Sequence, residues 1–353
     1  MKKLLTITLL AIFIFASCQN EKNENENEKE SSKEMTSSFD STALKTTTID
    51  TDEDRPFLFR YKFVAGETFK YRLTTIAKSE QTIVADTTMS EKMSQTIIFI
   101  LNFKTLSLDE DSVAELECTF SSVNLKANAQ GNDVTYQSGA QMDSTERVKF
   151  AEYESLINNP FNLRVSKLGA IIDIYKADRI MNKFLELRGL SDSLNAQQKV
   201  MASQDLTNQS IKPLVSQIFR EVPEGKMGLD TTWNQKRESK PIMVFQVDYE
   251  NQYKVASLEM LGDDKLAVVT GSVKTTVIGD PNYTERGIKY NFDKPNTIAT
   301  GKIYFNLNKG MVQKSRTESR IENGYRMEMP TPEGIQKASA KEIGTNINVI
   351  ELL

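Results

Sequence analysis

Histidine is absent from the 353 residues. That removes the commonest general base and the commonest zinc ligand, and with them most hydrolase chemistry that works through an imidazole. Cysteine occurs only twice, so no disulfide framework staples the chain and its stability must come from an apolar core. No basic cluster stands out from a net charge of −4, which leaves a nucleic-acid surface without an electrostatic footprint. Nor is there a Gly-rich phosphate loop, a nucleophile elbow, or a Ser-x-x-Lys signature with its companions. Carboxylate-only or serine-lysine catalysis stays open in principle, but no constellation nominates it. No cofactor or metal is called for.

The run Leu4 to Phe15, with almost no polar atoms, is about twelve residues, well short of the roughly twenty that a spanning helix needs. Lys2 and Lys3 precede it, and the small pair Ala16-Ser17 leads directly into Cys18. This is the order of parts of an export signal. Phe15 at the third-last position before the cut is too bulky for ordinary secretory cleavage, and a thiol follows the cut. The segment resembles the bacterial lipobox, although Phe15 replaces the usual leucine. The resemblance implies a diacylated Cys18 as the first residue of the mature chain, with two or three acyl chains giving a lasting membrane anchor. With Cys18 modified, Cys118 has no partner for an intrachain disulfide.

Beyond Cys18 and Gln19 comes an acidic tract with Glu21, Glu24, Glu26, Glu28 and Glu30, then Ser, Thr and Lys up to Asp54. Nothing in it builds a core. The expected organisation is therefore a signal at residues 1–17, a lipidated Cys18 with a disordered polar tether over 18–54, and a β-rich domain over 55–353. Flexible-chain statistics place that domain about 30 to 35 Å from its anchor. An acidic stretch directly after the cysteine also resembles the surface-export signal of Bacteroidota lipoproteins. It implies an outer-membrane, cell-surface location; a periplasm-facing anchor is the alternative, since any solvated linker has this composition.

Within the domain the dominant period is two. Ala114, Leu116, Cys118 and Phe120 share one face, and the apolar positions then change parity to Val123 and Leu125, which predicts a bulge. Phe245, Val247, Tyr249 and Tyr253 repeat the pattern, as do Ile303, Phe305 and Leu307. Lys167-Leu168-Gly169, Asn308-Lys309-Gly310 and Asn323-Gly324 read as tight hairpin turns, the last as a primed two-residue turn. Helical spacing appears between about Asp178 and Val222, in Ile180, Phe184 and Leu187 and then Ile211, Leu214, Val215, Ile218 and Phe219, with Pro213 in a first turn. The expected class is α+β, a curved antiparallel sheet packed on a central helical insertion at about 176–222. Gly66, the acidic turn at Asp109 and the hairpin at Gly169 recur in order as Trp233, Gly262 and Gly310. That order admits two repeated β halves or the monotony of antiparallel sheets.

Three motifs carry a further resemblance: Arg60-Tyr61-Lys62 through Gly66-Glu67-Thr68-Phe69-Lys70-Tyr71, Val165-Ser166-Lys167-Leu168-Gly169, and Val222-Pro223 leading to Asp230-Thr231-Thr232-Trp233. Together they resemble an uncharacterised family of Bacteroidota lipoproteins, which lends no activity. Leu229 and an extra threonine interrupt the third motif. A looser likeness, of architecture alone, is to periplasmic lipid-carrier folds.

The remaining candidates are weaker. Asp50, Asp52 and Asp54 have calcium-loop spacing, but Arg55-Pro56 replaces the glycine turn, which rules out an EF-hand. Asp109 to Asp111 and Asp263-Asp264 fit solvated hairpin ends better than a shared metal site. Trp233, the sole tryptophan, fits a core anchor better than a stacking platform. Asp40-Ser41, Asp86-Thr87, Asp111-Ser112, Asp143-Ser144, Asp192-Ser193 and Asp230-Thr231 resemble Bacteroidota O-glycosylation acceptors, and are also ordinary turn formers. The expectation is a non-enzymatic binding or structural lipoprotein of the cell envelope, joined to the membrane through Cys18. The alternative is a carrier for a lipid or other apolar ligand held between sheet and helices. A carboxylate hydrolase would need two acids about 5 to 9.5 Å apart, and no pair is nominated.

Overall fold

Apolar-polar alternation runs through nearly every strand, and the strands all join one sheet. The structure, a computed structural model, describes residues 44–49 and 55–353; Cys18, Asp40, Asp50, Asp52, Asp54, the stretch read as a signal and most of that read as a tether lie outside the described residues. In chain order the strands are β1 (Thr47–Thr48), β2 (Thr68–Val84), β3 (Thr88–Leu108), β4 (Ala114–Ala129), β5 (Asn132–Gln137), β6 (Phe161–Val165), β7 (Ile171–Tyr175), β8 (Thr232–Ile242), β9 (Phe245–Leu261), β10 (Asp264–Ile278), β11 (Asn282–Glu285), β12 (Ile288–Asn306), β13 (Met311–Thr331) and β14 (Gly334–Leu352). Five short helices, α1 (Ser144–Lys149), α2 (Ala151–Leu156), α3 (Asp178–Leu187), α4 (Ala196–Leu206) and α5 (Lys212–Ile218), complete the described elements together with a π-helical turn at Thr207–Ile211. None of these helices is long and apolar enough to cross a membrane.

The expected α+β class with a central helical layer is corrected. The chain is mainly β, a 14-stranded antiparallel sheet in the order β1-β9-β10-β12-β13-β14-β2-β3-β4-β6-β7, with β8 beside β9, β5 beside β4 and β11 beside β12. The sequence halves are not separate: β14 pairs with β2 from Leu352 opposite Tyr71 to Ser339 opposite Val84. The helical section does lie between β7 and β8, and so links the two edges of the sheet. It is too slight to form a layer, because α4 buries no residue and only α3 and α5 contribute to the core. In α3 the buried positions are Ile180, Met181 and Leu185, while Phe184 and Leu187 are half-buried. In α5 the expected stripe holds, with Ile211, Val215, Ile218 and Phe219 buried. Pro213 sits in the first turn, and because it has no N–H to give, the preceding turn widens to the π form.

What fills the inner face is a segment that joins no strand. Residues 57–63 alternate like a strand, with Phe59, Tyr61 and Phe63 buried and Arg60 and Lys62 turned outward. Their backbone is satisfied by loops: Phe57 pairs with Met227, Tyr61 N–H donates to Lys167 O at 2.9 Å, and Lys62 N–H to Gly310 O at 3.2 Å. The cations then cap carbonyls, Arg60 on Glu224 at 2.6 Å and Lys62 on Leu307 and Asn308 at 3.0 Å. Phe59 packs on Trp233 of β8 and Phe305 of β12. Phe219, which packs on Tyr61, also reaches Phe103 of β3. Laid flat, the sheet from β3 to β8 would be roughly 34 Å wide. The segment touches β8 directly and β3 through Phe219, so the sheet wraps around the two together.

Two glycines permit this threading. Gly169, at φ +84°, sits where an added Cβ would come within 2.5 Å of the Tyr61 ring and overlap the Arg220 carbonyl; at Gly310, φ +63°, it would meet Arg60 O at 2.6 Å. The hairpins expected at both sites are present. The turn expected at Asn323-Gly324 is not, since both lie inside β13, Asn323 opposite Glu342 and Gly324 between Lys341 and Asp293. Gly324 is there because Ala340 O would lie 2.8 Å from a Cβ, next to a bulge in β12 that holds Pro295 where no ladder N–H is needed. The bulge expected after Phe120 is found, with Ser121 the extra residue. Leu44–Ile49, within the stretch read as tether, lies along β9: Thr47 pairs with Met260, and Leu44 packs on a small outer cluster of Leu266, Val268 and Tyr304.

The Tyr61 hydroxyl accepts from Arg220 N–H at 2.9 Å and donates to Arg220 O at 3.1 Å. Burial pushes its phenol well above the ordinary tyrosine value, the Arg220 backbone hydrogen bond partly offsetting this. Tyr71, buried and donating to Val312 O at 2.8 Å, is raised likewise.

Three outcomes follow for urea and pH titrations. Gly169→Ala is expected to lose roughly 2 to 4 kcal/mol, whereas Gly344→Ala, whose Cβ would meet no atom within 4 Å, should stay within about 0.5 kcal/mol. Since unfolded phenols release their protons near pH 10 and Tyr61 and Tyr71 keep theirs when folded, stability should be full below about pH 10 and fall above it. The phenolate absorbance of both should then appear only with unfolding. Tyr61→Phe, which strands a buried N–H and C=O, should cost about 1 to 3 kcal/mol at neutral pH.

Candidate functional site

The apolar half of the concave face is a core of buried aromatic and aliphatic side chains. Between the threaded segment and the sheet there is a cavity of ≈ 20 Å³, lined among others by Phe59, Arg220, Trp233, Tyr253, Val269 and Phe305. That is room for about one water molecule.

Further along the same strands, the inward-facing positions change character. Counting by two from buried Leu73, Leu101 and Ile350, the inner face of β2 continues as Thr75, Ala77 and Ser79, that of β14 as Asn348, Asn346 and Gly344, and that of β13 as Thr317, Ser319 and Ile321. Of these only Asn346 is exposed and the rest are half-buried. They form a trough with a floor of small and polar side chains above the apolar core. Its far end carries a second cluster, Ile242, Phe245 and Val247 with Phe292.

The boundary between core and trough is where chemistry-bearing groups collect. Trp233 and Tyr253, cross-strand partners on β8 and β9, stack at 5.1 Å and are both half-buried. Asn251 and Gln235 are the next pair on that face, then Tyr249 and Arg237. Asn251 donates to the Tyr253 hydroxyl at 3.0 Å. Arg220, which follows α5, also hydrogen-bonds Tyr253, while its Nε is shut off from water without a partner. Burial draws its guanidinium below the ordinary arginine value; Tyr253 and Tyr61 offset part of this, and Arg237 adds repulsion. Glu221, the next residue, engages Gln235 instead. Among the described residues, no ion pair joins Arg220 or Arg237 to a carboxylate.

The candidates read from sequence fall elsewhere or into packing. Cys18 lies outside the described residues. Cys118 is fully buried, and burial raises its thiol well above the usual value. The two acidic turns are committed locally: Asp109 accepts from Val113 N–H and pairs with Arg164, and Asp264 pairs with Lys309. Among the described residues no group of three or more Cys, Asp or Glu is placed to hold a metal. Asp86, Asp111, Asp143, Asp192 and Asp230 all precede strands or helices at turns; Asp143 caps α1 with Glu146 in a reciprocal box. Trp233 is both a core contact and part of the trough's mouth.

Sequence reading missed Arg220, Arg237, Gln235, Asn251 and the trough floor. The available signal was an inversion in β14, where Ile343, Ile347 and Val349 take the outer face and Gly344, Asn346 and Asn348 the inner one. Taken alone, the apolar set reads as the core face.

A sequence model of DUF6263, a family of unknown function, matches residues 111–312. No curated protein matches the chain. Among solved structures, one described as lipid-protein interactions in lipovitellin is similar at 10% identity and a TM-score of 0.38, covering 83% of this chain and 25% of that one. This chain thus spans about a quarter of that chain's length. An outer membrane channel from Pseudomonas putida F1 is similar at 6% identity and a TM-score of 0.16, with coverages of 83% and 97%. Pseudomonas aeruginosa OpdQ has 6% identity and a TM-score of 0.15, with coverages of 80% and 99%. At such TM-scores these likenesses carry no argument. The family match covers more than half of the chain, and the chain belongs to that family of unknown function.

Proposed function

We propose that this member of the family is a non-enzymatic binding lipoprotein of the cell envelope, held to the outer membrane through lipidated Cys18, whose trough takes a glycan. The observation that carries the reading is the trough: hydroxyl and amide side chains on its floor and a stacked Trp233–Tyr253 pair at its mouth. Sugars present hydroxyls to such amides and apolar C–H faces to aromatic rings. At the water-sized cavity beside Phe59 and Trp233, an acyl chain would have to displace packed side chains. The export signal and Cys18 support the anchor, and the acidic tract after Cys18 supports surface exposure.

Gly344 supplies the test, since a side chain added there enters open space. In calorimetric titration with soluble envelope polysaccharide fragments, wild-type protein should bind and Gly344→Phe should lose at least about tenfold in affinity at an unchanged melting temperature. Binding of envelope peptides alone, or binding unaffected by Gly344→Phe, would reject the glycan trough. For the anchor, cells fed an alkyne fatty acid should label the wild-type chain, and Cys18→Ala should be unlabelled and leave the membrane fraction. An unlabelled wild-type chain removes the lipid anchor.

A further inference from the structure

Part of the outer face of the sheet is withdrawn from water, although an antiparallel sheet packed on one side ordinarily leaves the other side wet. One row of outward residues crosses four neighbouring strands, Tyr304 of β12, Lys314 of β13, Glu351 of β14 and Arg72 of β2, each opposite the next. Glu351 pairs with Arg72 at 2.8 Å and with Lys314 at 3.3 Å, and all four side chains are largely shielded. In the adjoining row, outward Val349 and Thr74 face each other at 1% and 0% exposure, and Thr74 Oγ1 is shut off without a hydrogen-bond partner. Side chains on one face of a sheet stand side by side with their tips outward, so burial this complete needs something laid over them. The helices do not supply it: Leu156, Ile180 and Val215 bury in the inner core with Leu73, Phe99 and Ile350, on the opposite face.

The chain itself leads there. Thr47 pairs with Met260 of β9, and going back from it Leu44 lies on Leu266 and Val268 of β10 and Tyr304 of β12. Carried on in that heading, the chain crosses β13, β14 and β2. An extended chain rises about 3.3 Å per residue, so the four residues back from Leu44 span about 13 Å, close to the roughly 14 Å of three strand spacings between Tyr304 and Arg72. The residue reached is Asp40, beside Phe39, the one aromatic residue between Cys18 and Leu44. We propose that residues 36–43, which lie outside the described residues, dock across this row, with the Asp40 carboxylate on Arg72 and Lys314 and the Phe39 ring over Val349 and Thr74. A carboxylate brought to cations withdrawn from water makes charge-assisted hydrogen bonds, and the ring buries an apolar surface that the acidic stretch otherwise leaves in solvent. The docking stands apart from the trough reading. With Cys18 as the anchor, it leaves residues 18–35 as free tether, a reach of about 21 to 25 Å. It also fixes that tether to the convex face, which turns the concave trough away from the membrane.

Trp233 is the only tryptophan in the chain, so the emission that Phe39→Trp adds over wild type reports on position 39. In the detergent-purified full-length chain, that added emission is expected to be blue-shifted and shielded from acrylamide, whereas that of Glu26→Trp, on the same stretch, should be fully quenched. The shielding should persist on dilution. Asp40→Asn should lower the melting temperature by roughly 2 °C, and in a Lys314→Met background that loss should shrink, because part of the partnership is already gone. Quenching of Phe39→Trp equal to that of Glu26→Trp overturns the docking. Shielding that fades on dilution assigns the face to a second copy of the chain and overturns it as well. An Asp40→Asn loss that is absent, or of equal size in both backgrounds, overturns the pairing with the cations and the proposal with it. None of these readouts uses a glycan or a membrane, so their failure leaves the trough and the anchor untouched.

Discussion

The Tyr61 hydroxyl, bonded to both the N–H and the carbonyl of Arg220, is the interaction on which the rest of this molecule turns. It joins the threaded segment to the end of α5, and so fastens the two parts of the chain that fill the sheet. Gly169 closes the same junction, because only a residue without Cβ lets the β6–β7 hairpin lie against the Tyr61 ring and the Arg220 carbonyl together. Buried peptide groups are costly when unpaired, and here the phenol supplies what regular secondary structure does not.

That junction also decides where the core ends. Phe59, Tyr61 and Phe63 reach only part of the way along strands of up to 21 residues. Where the segment stops, the inner face loses its apolar partner, and the strands there carry Thr, Ser, Asn and Gly instead of Leu and Phe. The filled core and the polar trough are consequences of the same length mismatch. Because Tyr61 holds the Arg220 backbone at that border, the guanidinium is delivered to Tyr253 rather than to solvent.

Much of the strand content was legible. The alternation at Ala114 to Phe120, the parity change at Ser121 and the hairpins at Gly169 and Gly310 all follow from period-two patterning and positive-φ glycines. The α5 stripe and Pro213 were equally readable. The helical layer was not, because periodicity reports that a face is apolar and not how much of the core it fills. Asn323-Gly324 misled for a related reason: a glycine that avoids a neighbouring carbonyl looks like one that makes a turn. The motifs quoted for the family were legible as strings but not as a set. Tyr61, Gly169 and Val222 are far apart in sequence, yet Tyr61 N–H reaches Lys167 O and Val222 N–H reaches Leu168 O.

By itself the sequence determined that the chain holds no histidine and only two cysteines, and that period-two alternation runs through most of it. These are properties of composition and local order, and no folding is needed to read them. Only the tertiary structure decided that the strands form one sheet, that an extended segment together with α5 fills it, and that Trp233 and Tyr253 stack at the mouth of a polar trough. Strand pairing and side-chain convergence depend on which residues face each other across long sequence separations, and local patterning carries no record of that.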